Sequence, residues 1–441
     1  MTQAEDRPAP KLALGHRIAR GLRSPRLLTA LIAVLTAMIL LRGEDQIGYV
    51  RDEGVYFEAS RHYAAWVVRW LDEGRAANEP EIRDRYFGIN HEHPALMKIA
   101  AGVSAQLLAE PPDPAYVAEV EARLSREPNE ARREFQRDVA SVDGGLIPLL
   151  REGRAMRLPA ILLAALATAL LYLAGRRLGG GALGGLLAAG WFMLLPRVAF
   201  HASLHAFDLP IAVMTLVLAM AWLRALDDWR WGLAMGPLLG IAIAIKHNAL
   251  FMGPLLALHL WLCLGLRWYR GKRRPKLVQL VPLPLVSMAV LGPLVAWLLW
   301  PWMWDDTFAR LGDYVAFHRE HSYYNMEFWG HNYNRPPLPI SYPFVMTWAT
   351  VPSVLLLLAG LGALLALRTI RNPGALGVLG RMATTLPAPD DPKARPRWSA
   401  PIPRFDGREE PLLFLGLAAF PLVLIALPSI PIFGGTKHWL T

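Results

Sequence analysis

The sequence predicts an all-α integral membrane protein, one multi-span bundle over residues 1–441 with helices lying at the interface in its first outer loop. Three observations predict it. Hydrophobic residues make up 54% of the chain and charged residues 19%, against about 25% charged in soluble domains; the mean hydropathy is +0.27. The apolar residues gather into runs of the length needed to cross a hydrocarbon core, about 20 residues. Lys and Arg collect at alternate ends of those runs, as cytoplasmic flanks do.

Taken in order, the runs predict spans at about 27–42, 157–174, 182–200, 208–225, 232–250, 251–267, 280–300, 343–367 and 411–430. The first has no cleavage pattern and is long enough to remain as an anchor. Arg17, Arg20, Arg23 and Arg26 precede it, Arg176 and Arg177 follow span two, and Arg267, Arg270, Lys272, Arg273, Arg274 and Lys276 follow span six. Alternation from a cytoplasmic N-terminus puts all three clusters inside. The junction at 248–253 makes spans five and six a tight hairpin, and Gly179-Gly180-Gly181 reads as a turn between spans two and three. The loops at 43–156 and 301–342 and the tail from 431 then face outward. The basic segment 368–410 faces inward; its run Leu386-Pro387-Ala388-Pro389-Asp390-Asp391-Pro392 has no amphipathic period and reads as a linker.

Within the outer loops, Tyr56, Tyr63, Trp66, Val67 and Trp70 recur at helical intervals, which suits an interfacial helix. Asn90 to Lys98 opens a second one, and Ala115 to Asp138 reads as a charged, solvated surface helix. Trp297, Trp300, Trp302 and Trp304 stand where span seven leaves the bilayer, the place of an aromatic belt. Cys263 is the only cysteine, which excludes an internal disulfide and a thiolate metal cluster. The net charge of +10 sits largely on the inner flanks, fitting anionic lipid headgroups and not nucleic acid.

Chemistry concentrates just outside span one. Asp52 and Glu53 are adjacent carboxylates close to the bilayer, and Asn90-His91-Glu92-His93-Pro94 sets an acid between two imidazoles on the same side. Such groups transfer protons and bind anions. The plain alternative makes Asp52 and Glu53 solvated charges at a helix start. His91, Glu92 and His93 would suit a metal only in an extended segment, since imidazoles two residues apart then share a side. Asp208 and Lys246 lie near the outer ends of spans four and five, where ionisable groups are costly unless paired, lining a cavity or snorkelling. His201 and His205 read as interface residues.

With these residues in place, the chain resembles family 39 glycosyltransferases, which include the protein O-mannosyltransferases and the lipid A aminoarabinose transferases. The resemblance rests on Asp52-Glu53 in the first outer loop, Glu92-His93-Pro94 before a re-entrant helix, Arg157-Leu158-Pro159 opening span two and Asp208-Leu209-Pro210 opening span four, and it covers about residues 27–365. It implies the GT-C fold and transfer of a sugar from a polyprenyl-phosphate donor to a lipid, glycan or protein acceptor outside the cytoplasm, in a bacterial cytoplasmic membrane. By position it implies Asp52 as catalytic acid-base with Glu53 as its companion, Arg157 and Tyr342 at the carrier phosphate, and Glu92 as a family acid. His93 stands where the aminoarabinose enzymes have Lys, and Ala95 replaces their second Pro, which argues against aminoarabinose.

The chemistry this implies uses Asp52 as base, with Arg157, His93, Lys246 and Tyr342 around the departing phosphate. One carboxylate acting directly gives inversion at the anomeric carbon. No cofactor is required; a divalent metal on Glu92, His91 and His93 is compatible with the set. Two other classes stay open on sequence alone. A transporter or flippase of a lipid-linked sugar predicts inverted repeats and charges near the midplane; an inactive scaffold predicts neither. The chain stops at Thr441, where relatives continue into further spans, so a longer protein is one expectation.

Overall fold

Runs of Leu, Ala and Val without interior breaks make helices, and the structure is helical almost throughout. A computed structural model describes residues 24–140, 143–178, 181–271, 274–320, 325–372, 407–430, 432 and 435–440. Arg17, Arg20, Arg23, Gly179, Gly180, Lys272, Arg273, His321 and most of the 368–410 linker lie outside the described residues. The chain opens with α1 (Pro25–Gly43), followed by an outer lobe of α2 (Arg51–Glu73), α3 (Pro80–Phe87), α4 (Leu96–Leu108), α5 (Pro114–Leu124) and α6 (Glu130–Ala140). The bundle continues through α7 (Glu152–Leu178), α8 (Ala182–Leu194), α9 (Pro196–Ala202), α10 (Asp208–Ala225), α11 (Trp229–Ile245), α12 (Met252–Tyr269), the single turn α13 (Leu277–Leu280) and α14 (Leu283–Leu298). After it come α15 (Thr307–Arg319), a hairpin of β1 (Met326–Phe328) and β2 (His331–Tyr333), α16 (Tyr342–Thr350), α17 (Ser353–Arg371), α18 (Glu409–Ile425) and a short turn, Gly435–Trp439.

By length and composition five segments can cross a membrane: α1, α7, α10, α17 and His247–Tyr269, which is α12 with its leading turn. The expected span 182–200 is instead a bent pair, α8 and α9, turned by 75° at Leu195. Pro196 causes the break, since it cannot donate to the preceding turn and is accommodated at the first position of the next helix. Pro352 splits the expected span 343–367 into α16 and α17 in the same way. The expected surface helix 115–138 is two helices, parted around Pro128. The segment expected to start a helix at Asn90 turns first, with Asn90 at φ 51°, and becomes helical only at Leu96.

Close backbone approach holds the bundle. Gly232, Gly236 and Gly240 line the face of α11 that meets α14; the Gly236 N–H donates to Ser287 Oγ at 3.0 Å, and a Cβ on Gly240 would sit 2.6 Å from the Gly292 carbonyl. Small residues at this spacing let helices pack without a hydrophobic drive between them. In the lobe, Gly102 of α4 lies so close to α2 that a Cβ there would overlap the Ser60 carbonyl.

The tryptophans are not a belt. Trp300 and Trp302 are 5% and 9% exposed and pack with Tyr63, Trp66, Tyr86, Phe87 and Tyr314. The two outer loops clasp each other there, with Arg83 on Asp305 and Arg310 on Asp84 across the seam.

One end of the molecule therefore carries the lobe, the 301–342 loop and the Gly435–Trp439 turn. At the other end Arg177 meets Glu410, and Arg270 and Arg408 donate to carbonyls of Ile370 and Arg371. Arg177 and Arg270, the described members of two basic clusters with contacts at that end, thus lie away from the lobe. Single cysteines at 84 and 325, in a Cys263→Ala background, are expected to react with an impermeant thiol reagent on intact cells. One at 269 should react only after permeabilisation, and the reverse pattern would invert the orientation.

Candidate functional site

Two neighbouring carboxylates part company at the start of α2. Successive side chains on a helix point about 100° apart, so Glu53 faces the bundle and Asp52 faces away from it. Glu53 is 0% exposed and accepts from Arg157 Nε at 2.8 Å, Arg157 Nη2 at 2.6 Å and the His205 backbone N–H at 2.7 Å. It also accepts from the Val50 N–H at 3.2 Å, which caps the helix. Arg157 gives its remaining donors to Glu44 Oε1 at 2.8 Å and to the Ile47 and Gly48 carbonyls at 3.3 and 3.2 Å, and its guanidinium lies over the Tyr49 ring. Asp52, by contrast, has a half-exposed side chain whose contact is Lys437 Nζ at 3.4 Å.

This arrangement corrects two sequence expectations. Arg157 is fully buried and its donors are taken, so it does not face a carrier phosphate; Glu53 is closed off from any acceptor hydroxyl. Both hold Asp52 in position instead.

One turn further along α2, Tyr56 stands among carboxylates. Its hydroxyl is pushed well above the usual phenol range, first by burial and then by the negative charges of Asp52, Asp208 and Glu92. Its ring meets Phe207, His93 and His205. Asp208 opens α10 and pairs with Lys246 at 2.6 Å, Lys246 lying between α11 and the His247–Phe251 turn. The His247 ring lies 4.2 Å from that of His318. Asp52, Glu92, His93, Asp208 and Lys246 are thus brought to one region.

The Asn90–His93 turn that carries Glu92 is built on Lys98, which is wholly buried. Its ammonium donates to the Asn90 carbonyl at 2.5 Å, the His93 carbonyl at 2.9 Å, Asn90 Oδ1 at 3.2 Å and the Tyr63 hydroxyl at 3.1 Å. Burial pulls its pKa down to about 7, with Glu92 acting the other way. Asn90 in turn donates to Glu92 Oε1 at 2.7 Å, fixing that acid. Burial first, then Lys98, Lys246 and nearby imidazoles, pull His93 down to about 3. His205 is held at about 3 by burial and Lys98, and its Nε2 lies 2.9 Å from Ser60 Oγ.

His91 leaves the group. Its ring stacks on Trp302 and its Nδ1 meets the Gly88 carbonyl at 2.8 Å, while His93 turns the other way toward Tyr56. The strand-like geometry a shared metal needs is absent, and no trio of metal-binding side chains occurs among the described residues. Tyr342 is also apart from the acids. It is 6% exposed, packed edge-on to Phe328 and Trp439, so it supports the 435–439 turn and does not line an open phosphate site.

Sequence reasoning missed Tyr56, Lys98, His205 and Lys437 as site residues. Tyr56 reads only as interfacial in the linear sequence, although its four-residue spacing from Asp52 places the two on one face of a helix. Lys98 gave a weak signal, a lysine inside an apolar helix. Lys437 had none without the fold, because 385 residues separate it from Asp52.

An all-α bundle of apolar, membrane-length helices with an acidic and cationic cluster at one end of its spans defines the class, a multi-span integral membrane protein. Residues 149–300 match the model of the dolichyl-phosphate-mannose-protein mannosyltransferase family, about a third of the chain, which indicates a mannosyltransferase-like membrane glycosyltransferase. That segment holds Arg157, Asp208 and Lys246 and leaves Asp52 and Glu92 outside. No curated protein and no solved structure matches the chain.

Two outcomes follow. Removing one member of a buried ion pair leaves an unpaired charge, so Glu53→Ala should lower unfolding stability in mixed micelles by about 3–5 kcal/mol. Asp52→Ala, on an exposed side chain, should change it by less than about 0.5 kcal/mol. The second concerns pH. A histidine with a depressed pKa is neutral above that value and gains charge only as pH falls through about 3. Donor KM should therefore show no His93 step between about pH 5.5 and 7.5, and His93→Gln should leave the profile unchanged there; a step near 6.5 that vanishes in this variant would contradict the assignment.

Proposed function

We propose that the protein is an inverting membrane glycosyltransferase, moving a hexose or pentose from a polyprenyl-phosphate donor to an acceptor hydroxyl on the extracytoplasmic side. The observation that carries this reading is the half-exposed Asp52, which stands on α2 beside the buried Glu53–Arg157 pair and meets Lys437, with the Lys246–Asp208 pair at the same end of the bundle. The acceptor oxygen bonds to the anomeric carbon as Asp52 takes its proton. The bond from that carbon to the phosphate oxygen breaks, and polyprenyl phosphate leaves with the electron pair. Positive charge that builds on the sugar ring is stabilised by neighbouring carboxylates. The reaction balances without a metal.

Lys246 meets the departing phosphate. Its ammonium has three donors and Asp208 uses one at 2.6 Å. We place part of a lipid-linked donor's chain against a small apolar cleft between α10, α12 and α18, lined by Ile211, Met252, Leu255, Leu417 and Phe420 with Asn248 among them. The family's donor, a dolichyl phosphate sugar, is of this class. His93 then contributes as a neutral polar group and not as an imidazolium.

Asp52→Asn keeps the shape and removes the base. Incubated with a panel of polyprenyl-phosphate sugars and acceptors, it should release polyprenyl phosphate about 10²-fold more slowly or worse, while still inserting and binding donor. Turnover close to that of the unaltered protein would sink the reading.

A further inference from the structure

We infer that Lys437 is a second donor-phosphate residue, held on Asp52 when no donor is bound and moving to the phosphate when one arrives. The inference rests on the glycosyl-transfer reading above. It begins with the Gly435–Trp439 turn, which folds back onto the lobe end of the bundle and packs on α16 and α18. Trp439 anchors the turn: its indole N–H donates to Thr347 Oγ1 at 2.9 Å and its ring stands edge-on to Tyr342. A fixed turn sets where its lysine can reach.

Lys437 reaches Asp52 at 3.4 Å, with side-chain exposures of 26% and 50%. A pair so long and so exposed is weak, and its ammonium is readily given up to a stronger anion. Lys246 differs, because its 2.6 Å partner Asp208 is more deeply buried. Lys437 also acts electrostatically on both Asp208 and His201.

The adjoining residue fixes the direction of approach. His438 lines the apolar cleft between α10, α12 and α18, and Lys437, the residue before it on the same turn, reaches Asp52. A polyprenyl-phosphate sugar is a phosphodiester, so the bound donor brings one negative charge to this point, carried on two unesterified oxygens that compete with Asp52 for the weakly held lysine. The phosphate gains a second charge as its bond to the sugar breaks, which holds the lysine there and leaves Asp52 free to keep the acceptor's proton.

The test uses purified full-length protein in detergent with radiolabelled polyprenyl phosphate for binding, and the sugar-linked form for kinetics. Lys437→Ala should weaken polyprenyl-phosphate binding and raise donor KM by about tenfold, with kcat reduced less than about threefold. Lys437→Arg should recover most of the affinity, which a merely structural role would not predict. Asp52→Asn should bind polyprenyl phosphate at least as well as the unaltered protein, because it no longer competes for the lysine. Unchanged binding in Lys437→Ala, or a loss in kcat alone, would overturn the inference while an inactive Asp52→Asn left the transfer reading standing. Failure of the unaltered protein to bind any polyprenyl phosphate would overturn both.

Discussion

The buried pair of Glu53 and Arg157 is the constraint on which the lobe end depends. A guanidinium taken out of water must find an acceptor for each of its five N–H groups, or its desolvation is uncompensated. Here the five are met by Glu53 twice, Glu44, and the carbonyls of Ile47 and Gly48. That requirement draws together the start of α2, the turn after α1 and the first turns of α7. Since Glu53 also receives the His205 N–H, the entry to α10 is tied to the same point. Asp52 takes its direction from this, one residue round the helix from a fixed neighbour.

Charge near the site is sorted by burial. The imidazoles of His93 and His205 are kept neutral, so they offer hydrogen bonds without repelling the lysines. Positive charge remains on ammonium groups with partners they can share, Lys246 with Asp208 and Lys437 with Asp52. Lys98 is spent on backbone carbonyls and shapes the turn that presents Glu92. In the proposed reaction, anion binding at this end therefore falls to lysine and not to histidine.

Much of this was legible in the sequence. Residues 208–225 were expected as a span and α10 occupies them; the runs at 27–42 and 251–267 meet α1 and α12 to within about two residues, and Arg177 lies at the end opposite the lobe. The breaks at Leu195 and Val351 were missed because hydropathy averages over a proline that interrupts a helix without lowering the apolar count. Asp52 and Glu53 read as one acidic pair because a linear string does not show the rotation between adjacent helix positions. Arg157 read as a phosphate ligand because a charge at a span's mouth has two solutions, an external anion or an internal one, and only packing chooses. The pairing of Asp52 with Lys437 depends on tertiary return of the chain and leaves no local trace.

The glycine seam between α11 and α14 has a consequence for the lipid around it. These helices have 17 and 16 residues, about 25 Å of rise at 1.5 Å per residue, against about 30 Å of hydrocarbon. Locked together by backbone contact, they cannot lengthen by sliding apart. A bilayer beside them meets that shortfall by thinning locally or through flanking side chains that snorkel to its surface.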